Sequence, residues 1–302
     1  MTIWPIGWPI GWPMGWSIRG LIAVVFCTVW LTAAADDNTA PGQPSAAPVR
    51  IGLTAVILTD RQSTLQAWSD YLQQQLQQPV QFLQRRTYYE IMQLLLEGKL
   101  DFAWVCGYPY VAQRNRVRLT AVPLYQHQPL YQSYLIVPAD DLHTRRIGDL
   151  AGTVFAFSDP DSNSGYLAPQ FQLREQGLNP AQVFRKTFFT WSHQDVVRAV
   201  ADGVAQGGAV DGYVWETLAR LNPQLTAKTR VAARSPWYGF PPIVSRAEIP
   251  PALFAAMRQA LLNMPANPQG QAVLAQLNLD GFTPGNDTLF DGIAAMAARI
   301  NP

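Results

Sequence analysis

Hydrophobic and polar positions along the chain alternate between two periods. Short apolar runs of the strand type occupy residues 49–53, 80–83 and 100–106. Between them, residues 65–77 and 89–97 carry apolar side chains at helical spacing, and Gly98 follows the second segment as a helix-ending glycine. Alternating strands and helices predict an α/β fold with a parallel, doubly wound sheet, in which ligands bind beyond the carboxyl ends of the strands.

The middle of the chain repeats this alternation and predicts a second lobe. Strands are expected at residues 134–137, 153–157 and 184–190, and a turn with a short strand at residues 207–214. Helices are expected at residues 171–177 and 194–202. Asp101 and Asp211 each follow a glycine-ended helix and precede an apolar segment that resembles a strand. This internal echo favours two similar α/β lobes.

The order of these elements sets the expected domain boundaries. Residues 243–244 and the helical segment 251–263 would return the chain to the first lobe. We therefore expect residues 49–137 and 236–302 to form lobe 1, with residues 138–235 inserted as lobe 2.

The N-terminal segment has the pattern of a targeting sequence. Arg19 precedes an apolar run over residues 20–34, and alanines close that run. This pattern predicts a secretory signal peptide over residues 1–35 and a periplasmic protein, with an uncleaved signal anchor as the alternative. Residues 36–48 are rich in proline and alanine and predict a flexible linker.

Charge and cysteine content narrow the classes of partner. Once Arg19 is taken from the 22 basic residues, the remainder balance the 21 acidic ones. A balanced charge argues against nucleic acid or an anionic membrane as the partner. Cys106 would be the one cysteine left after cleavage, so we expect no internal disulfide and an inert, buried thiol.

The most informative motif is a hydroxyl-rich turn at residues 159–166, with the sequence DPDSNSGY, between an apolar strand and a short helix. Backbone N–H groups at a helix N-terminus, together with serine hydroxyls, suit a tetrahedral oxyanion. No lysine or arginine lies in the turn, so neutral donors and the helix dipole would hold the anion. A simple helix cap is the alternative.

Five segments in order give the chain a family resemblance. They are residues 87–89 (TYY), 99–104 (KLDFAW), 131–137 (YQSYLIV), 159–166, and 192–195 (SHQD) together with 210–213 (VDGY). On these segments the chain resembles the periplasmic phosphate-, phosphite- and phosphonate-binding proteins that serve ABC importers. The resemblance spans roughly residues 49–300. It implies a type II periplasmic binding protein, whose two lobes are joined by two crossing strands and close on the ligand by hinge bending.

The resemblance also implies the site. The candidate ligand-binding residues are Tyr89, Tyr131, Ser162, Asn163, Ser164, His193 and Asp211. Family members usually carry threonine where Asn163 stands, which leaves the side-chain contact there open. His193 matches a histidine that donates to a phosphoryl oxygen, although it could instead belong to a helix cap. Asp211 would bind a ligand hydroxyl or amine, or would merely begin a strand.

One departure from the family bears on specificity. Some aminophosphonate binders carry an acidic residue just before the strand that re-enters the first lobe, whereas residues 235–243 (SPWYGFPPI) contain none. The aromatic residues Trp237 and Phe240 would instead narrow or desolvate the cleft. This favours phosphate, phosphite or a small alkylphosphonate over a ligand that carries an ammonium group.

We therefore expect a monomeric binding protein without cofactor or metal, which delivers a small phosphorus oxyanion to an ABC permease in the inner membrane. One alternative is a soluble sensor that presents the same ligand to a membrane receptor or kinase. The other is a phosphoester hydrolase, which is disfavoured because Ser164 lacks a G-x-S-x-G elbow and no H-x-x-x-H metal spacing occurs. An enzyme is not expected.

Overall fold

The structure is a computed structural model that describes residues 47–54 and 62–300. The signal peptide expected over residues 1–35 and nearly all of the linker expected over residues 36–48 lie outside the described residues. Within the described ranges, no helix is both long enough and apolar enough to span a bilayer.

The described residues form an α/β protein. In chain order, the strands are β1 (Val49–Leu53), β2 (Val80–Gln84), β3 (Phe102–Trp104), β4 (Val117–Leu124), β5 (Leu130–Tyr131), β6 (Ser133–Pro138), β7 (Val154–Phe157), β8 (Lys186–Phe189), β9 (Gly207–Asp211), β10 (Thr229–Arg234), β11 (Tyr238–Gly239), β12 (Ile243–Arg246) and β13 (Gly281–Thr283).

Helices connect these strands. The α-helices are α1 (Gln62–Leu76), α2 (Tyr88–Leu96), α3 (Gly107–Gln113), α4 (Ala168–Glu175), α5 (Pro180–Val183), α6 (His193–Ala201), α7 (Gly212–Leu221), α8 (Pro223–Thr226), α9 (Pro251–Leu262), α10 (Pro268–Leu277) and α11 (Asp291–Ile300). A π-helical turn, Asn163–Leu167, runs directly into α4. Short 3-10 helices occupy Ile147–Leu150, Met264–Ala266 and Asp287–Phe290.

Two mixed sheets define two lobes. The first lobe contains a six-stranded sheet in the order β13-β4-β12-β3-β1-β2, and the second contains a five-stranded sheet in the order β10-β6-β9-β7-β8. Three neighbouring strands are parallel in each sheet, namely β2-β1-β3 and β8-β7-β9. Every other neighbouring pair of strands is antiparallel, so the sheets are not wholly parallel as the alternation predicted. The reason is that β6 and β12, the first sheet strands after each crossing, run opposite to both of their neighbours.

The chain crosses between the lobes twice, and the crossings are paired. Strand β5 lies between β4 and β6 on the outward crossing, and β11 lies between β10 and β12 on the return. The two pair antiparallel, with Tyr131 opposite Tyr238 and Leu130 opposite Gly239. The expected architecture of two lobes joined by two crossing strands is confirmed.

The lobe boundary expected after residue 137 is too late. Strand β6 begins at Ser133 and pairs with β9 and β10 of the second sheet, so the chain has already crossed before that point. The C-terminal helix also differs from the expectation of a simple return to the first lobe. Arg299 at its end pairs with Glu175 of α4 at 2.7 Å, so α11 contacts the second lobe as well.

The internal echo between Asp101 and Asp211 does not hold. Asp101 precedes β3 and accepts a hydrogen bond from Arg50 N at 2.9 Å, whereas Asp211 ends β9 and precedes a helix. The Asp211 carboxylate accepts N–H groups of Tyr213 and Val214, and these bonds cap α7. The turn and short strand expected over residues 207–214 are therefore wrong, since the strand ends at Asp211 and a helix follows it.

Trp104 connects β3 to the segment that returns from the second lobe. It is 1% exposed, and its Nε1 donates to Pro241 O at 2.9 Å. Trp104→Phe would keep an aromatic ring but remove the donor to a buried carbonyl. We expect the free energy of unfolding in urea to fall by about 1–3 kcal/mol.

The matched control is Trp237→Phe, because Trp237 is 57% exposed. That change should alter the free energy of unfolding by no more than about 0.5 kcal/mol. Equal losses in the two variants would show that the buried hydrogen bond has no special weight.

Candidate functional site

The serine turn between β7 and α4 is buried and contacts the first lobe. Ser162 is the N-cap of the π-helical turn, and its Oγ accepts the N–H of Gly165 at 2.9 Å. Asn163 N donates to Cys106 Sγ at 3.2 Å, and Asn163 Nδ2 donates to Tyr131 Oη at 2.9 Å. The turn is therefore a helix cap, as the simpler alternative expected, and also a junction between the lobes.

Gly165 allows this turn to pack closely. A Cβ at this position would lie 1.8 Å from Ser158 Oγ and 3.1 Å from His193 Cε1. Any side chain there would push the turn away from both residues. The glycine thus brings the Ser162–Ser164 segment against the end of β7 and the start of α6.

His193 is a neutral hydrogen-bond donor at the start of α6. Its Nδ1 accepts the N–H of Asp211 at 3.1 Å, which places the ring proton on Nε2. Nε2 lies 3.2 Å from Tyr88 Oη across the lobe interface. Burial lowers the pKa of His193 to about 3, so the ring is uncharged at neutral pH.

Two buried carboxyl groups flank the turn. Burial raises the pKa of Asp159 to about 6 and that of Asp211 to about 7. Asp159 accepts N–H groups of Tyr88 and Asp161 at 3.1 and 2.8 Å, one on each oxygen. Neither carboxyl belongs to an ion pair among residues 47–54 and 62–300.

Several buried oxygen atoms in this cluster lack hydrogen-bond partners among the described residues. They are Ser158 Oγ, Asn163 Oδ1, Ser164 Oγ and Asp211 Oδ2. An unpaired buried polar group costs about 1–3 kcal/mol. Four such atoms in one cluster are the arrangement expected of a site that completes its hydrogen bonds with a polar ligand.

The chain matches a known family over most of its length. Residues 34–290 fit the family model for the periplasmic substrate-binding proteins of phosphonate ABC transporters. The chain belongs to this family. Its members are substrate-binding components of transporters, which agrees with the expectation of a protein that is not an enzyme.

Individual relatives agree with this assignment. The phosphate-import protein PhnD of Mycolicibacterium smegmatis is 28% identical over 210 residues, which are 64% of this chain and 65% of that protein. The chain thus matches slightly less than two thirds of the length of this relative.

Two solved structures share the fold. A binding component of an ABC phosphonate transporter from Pseudomonas aeruginosa has a TM-score of 0.76 at 22% identity, covering 82% of this chain and 85% of that one. PhnD1 from Prochlorococcus marinus, solved with methylphosphonate, also has a TM-score of 0.76, at 20% identity, covering 84% of this chain and 98% of that one. At these identities the likeness shows the type II periplasmic-binding-protein fold.

Most of the candidate residues come together in this member of the family. A single buried cluster contains Tyr131, Ser162, Asn163, Ser164, His193 and Asp211. Tyr89 does not belong to it, since it is 62% exposed, whereas Tyr88 is 1% exposed and faces His193. Tyr88 shares the buried face of α2 with Ile91 and Leu95, and this helical spacing could have identified it.

The sequence-based predictions missed two residues near the site and placed a third incorrectly. Asp159 and Cys106 were not candidates, yet both bind backbone N–H groups at the lobe junction. The expected burial of the Cys106 thiol is confirmed, and burial raises its pKa to about 11. Trp237 is on the surface and does not narrow the cleft, whereas Phe240 is buried with its ring centroid 5.8 Å from that of Tyr131.

Asp211→Asn should stabilise the unliganded protein more at pH 8 than at pH 5. Burial raises the pKa of Asp211 to about 7, so the folded protein holds this proton at pH 5 and has lost it at pH 8. In the unfolded chain the carboxyl is largely ionised at both values. The protonated Asp211 carboxyl contributes to the free energy of unfolding, and this contribution is lost as the pH rises through about 7. Asparagine does not ionise, so the variant avoids the loss.

The advantage of the variant in free energy of unfolding should grow by on the order of 2 kcal/mol between the two pH values. Urea titrations of both proteins at each pH measure it. Asp202→Asn, an exposed change at the end of α6, is the control and should show no such growth. A pH-independent difference for Asp211→Asn would contradict the raised pKa.

Proposed function

We propose that the protein is an extracytoplasmic solute-binding protein that captures phosphate, phosphite or a small phosphonate between its lobes and delivers it to an ABC permease in the inner membrane. One observation carries the proposal. The Ser162–Ser164 turn at a helix N-terminus meets a neutral His193, and unpartnered buried oxygens surround them. The names of the relatives, a phosphate-import protein and a methylphosphonate complex, support the same ligand class.

The ligand would be held by neutral donors. The hydroxyl of Ser164 and Nε2–H of His193 would donate to the phosphoryl oxygens, as would the backbone N–H of Asn163 in place of its bond to Cys106 Sγ. Tyr88 and Tyr131 would donate as well, because burial raises the pKa of both phenols and keeps them protonated. Such a site resembles an oxyanion hole more than a cluster of cations.

Capture would require the lobes to open. Tyr88 of the first lobe bonds to Asp159 and His193 of the second, and Asn163 of the second bonds to Tyr131 in the crossing pair. These contacts shut the cluster from solvent. Bending at the paired crossings β5 and β11 would separate the lobes and admit a ligand.

An amine-bearing phosphonate fits less well. The returning segment ends in Phe240, Pro241 and Pro242, all buried and without a carboxylate. Asp211 has a buried carboxyl oxygen without a partner among the described residues, and this carboxyl would have to serve the oxyanion and the ammonium together. A desolvated ammonium without its own partner is unfavourable.

The family supports a proposal for location and partners. We infer that residues 1–35 direct export to the periplasm and that the protein acts as a monomer. The family description, a substrate-binding protein of an ABC transporter, favours delivery to a permease over presentation of the ligand to a membrane kinase.

Phosphate, phosphite and methylphosphonate should each raise the melting temperature of the protein. A ligand at about 100 times its dissociation constant adds about 2.7 kcal/mol to the free energy of unfolding. Aminoethylphosphonate should have a smaller effect at equal concentration because its ammonium lacks a partner. A thermal-shift panel that includes glutamate as a comparison tests this order, and stabilisation by glutamate alone would refute the proposed ligand class.

Measuring the affinity of Ser164→Ala for the same phosphorus oxyanions tests whether the serine turn is the binding site. A lost hydrogen bond to an anion costs about 1.5–3 kcal/mol, which is roughly a 10- to 150-fold loss of affinity. The free energy of unfolding of the unliganded variant should not fall, because Ser164 Oγ has no hydrogen-bond partner among the described residues. Ser69→Ala is the control, since it removes a hydroxyl that bonds Val80 O in the first lobe and should leave affinity unchanged. Unchanged affinity in Ser164→Ala as well would reduce the turn to a helix cap.

A further inference from the structure

Among the described residues, Asp211 forms hydrogen bonds through only one of its two carboxyl oxygens. It is 1% exposed and stands between the end of β9 and the start of α7. Oδ1 accepts the N–H groups of Tyr213 and Val214 at 2.9 and 3.4 Å, while Oδ2 has no hydrogen-bond partner among the described residues. One oxygen thus holds the helix, and the other remains available to a ligand.

The titratable groups that face Asp211 carry no positive charge. They are Tyr88 from α2, Cys106 before α3, Tyr125 and Tyr131 from the outward crossing, and His193 from α6. The charged residues next to these groups are acidic, since Asp159 interacts with Tyr88 and Glu216 of α7 with Tyr125. His193 is neutral, and it accepts the backbone N–H of Asp211 instead of pairing with the carboxyl. No ion pair within the described part of the chain includes Asp211.

An oxyanion bound at the neighbouring turn would add a second negative charge to this environment. Two anionic oxygens in a buried site repel each other unless a proton lies between them. That proton can arrive on the ligand as a P–OH or on the carboxyl of Asp211. Both routes give the same complex, with a short charge-assisted hydrogen bond.

We propose that Asp211 admits the oxyanion only together with one proton, which is shared between its Oδ2 and a ligand oxygen. This inference rests on the proposed function and assigns its ligand class more narrowly. Phosphate, phosphite and methylphosphonate carry an ionisable P–OH near neutral pH and bring the proton with them. Sulfate has no such proton there, so it depends on the protonated form of Asp211 and loses affinity as the pH rises.

The direct test counts protons in a calorimetric titration with phosphite at pH 8, run in two buffers of different ionisation enthalpy. Both phosphite and the free protein have then largely lost the relevant proton, so wild type should take up about one proton per ligand bound. Asp211→Asn should take up none, because its amide donates to the dianion directly. Asparagine also keeps the cap on α7 through its own Oδ1.

Asp202→Asn is the matched control and should still take up about one proton, since this carboxylate is exposed and lies outside the cluster. If phosphite binds to Asp211→Asn too weakly to titrate, sulfate binding to wild type provides an independent test. The affinity of wild type for sulfate should fall by about tenfold per pH unit above pH 7.

The outcomes separate the two proposals. Phosphite binding to wild type without proton uptake, or with the same uptake in Asp211→Asn, overturns proton sharing and leaves the binding function in place. Sulfate affinity that does not change above pH 7 also overturns it. Failure of every phosphorus oxyanion to bind to wild type overturns the binding function and the proton sharing together.

Discussion

Hydrogen bonds between Tyr88 and two residues of the second lobe join the molecule across its cluster of buried polar groups. The backbone N–H of Tyr88 donates to Asp159, and its hydroxyl meets Nε2 of His193. These bonds need a helix start on one lobe to face a strand end and a helix start on the other. The paired crossing strands join the lobes, and the glycine at position 165 lets the serine turn pack against His193 within the second lobe.

The same closeness creates the electrostatic character of the site. With no cation in the cluster, burial drives each titratable group toward its neutral form, which lowers the pKa of His193 and raises that of Asp211. The protein thereby gains uncharged donors around the serine turn and a carboxyl that titrates near neutrality. An oxyanion bound there would be stabilised by dipoles and by a shared proton, without help from arginine or lysine.

Much of this fold could be predicted from the sequence because its elements have clear periods. The apolar runs before and after α1 became β1 and β2 nearly as expected, and Ser192 caps α6 as its position suggested. The serine turn was recognisable because hydroxyl groups, a glycine and a following helix occur together in a short segment. Such signals are local, so a single sequence is enough to carry them.

The features that were not predicted depend on tertiary contacts or on the choice between two adjacent residues in the sequence. Tyr89 was chosen over Tyr88 from the motif, although the buried face of α2 includes Tyr88, Ile91 and Leu95. Asp211 was taken to begin a strand, because nothing in the local pattern shows that its carboxylate caps a helix. Asp159 and Cys106 reach the site only because the lobes meet there, and this contact links residues far apart in the chain.

The central claim is that the Ser162–Ser164 turn and His193 bind an oxyanion between the lobes. A crystal structure of the protein grown with phosphite tests it most directly. We expect phosphite to be enclosed by both lobes, with its oxygen atoms within about 3 Å of Ser164 Oγ and His193 Nε2. Phosphite bound elsewhere, with this cluster unchanged and unliganded, would contradict it.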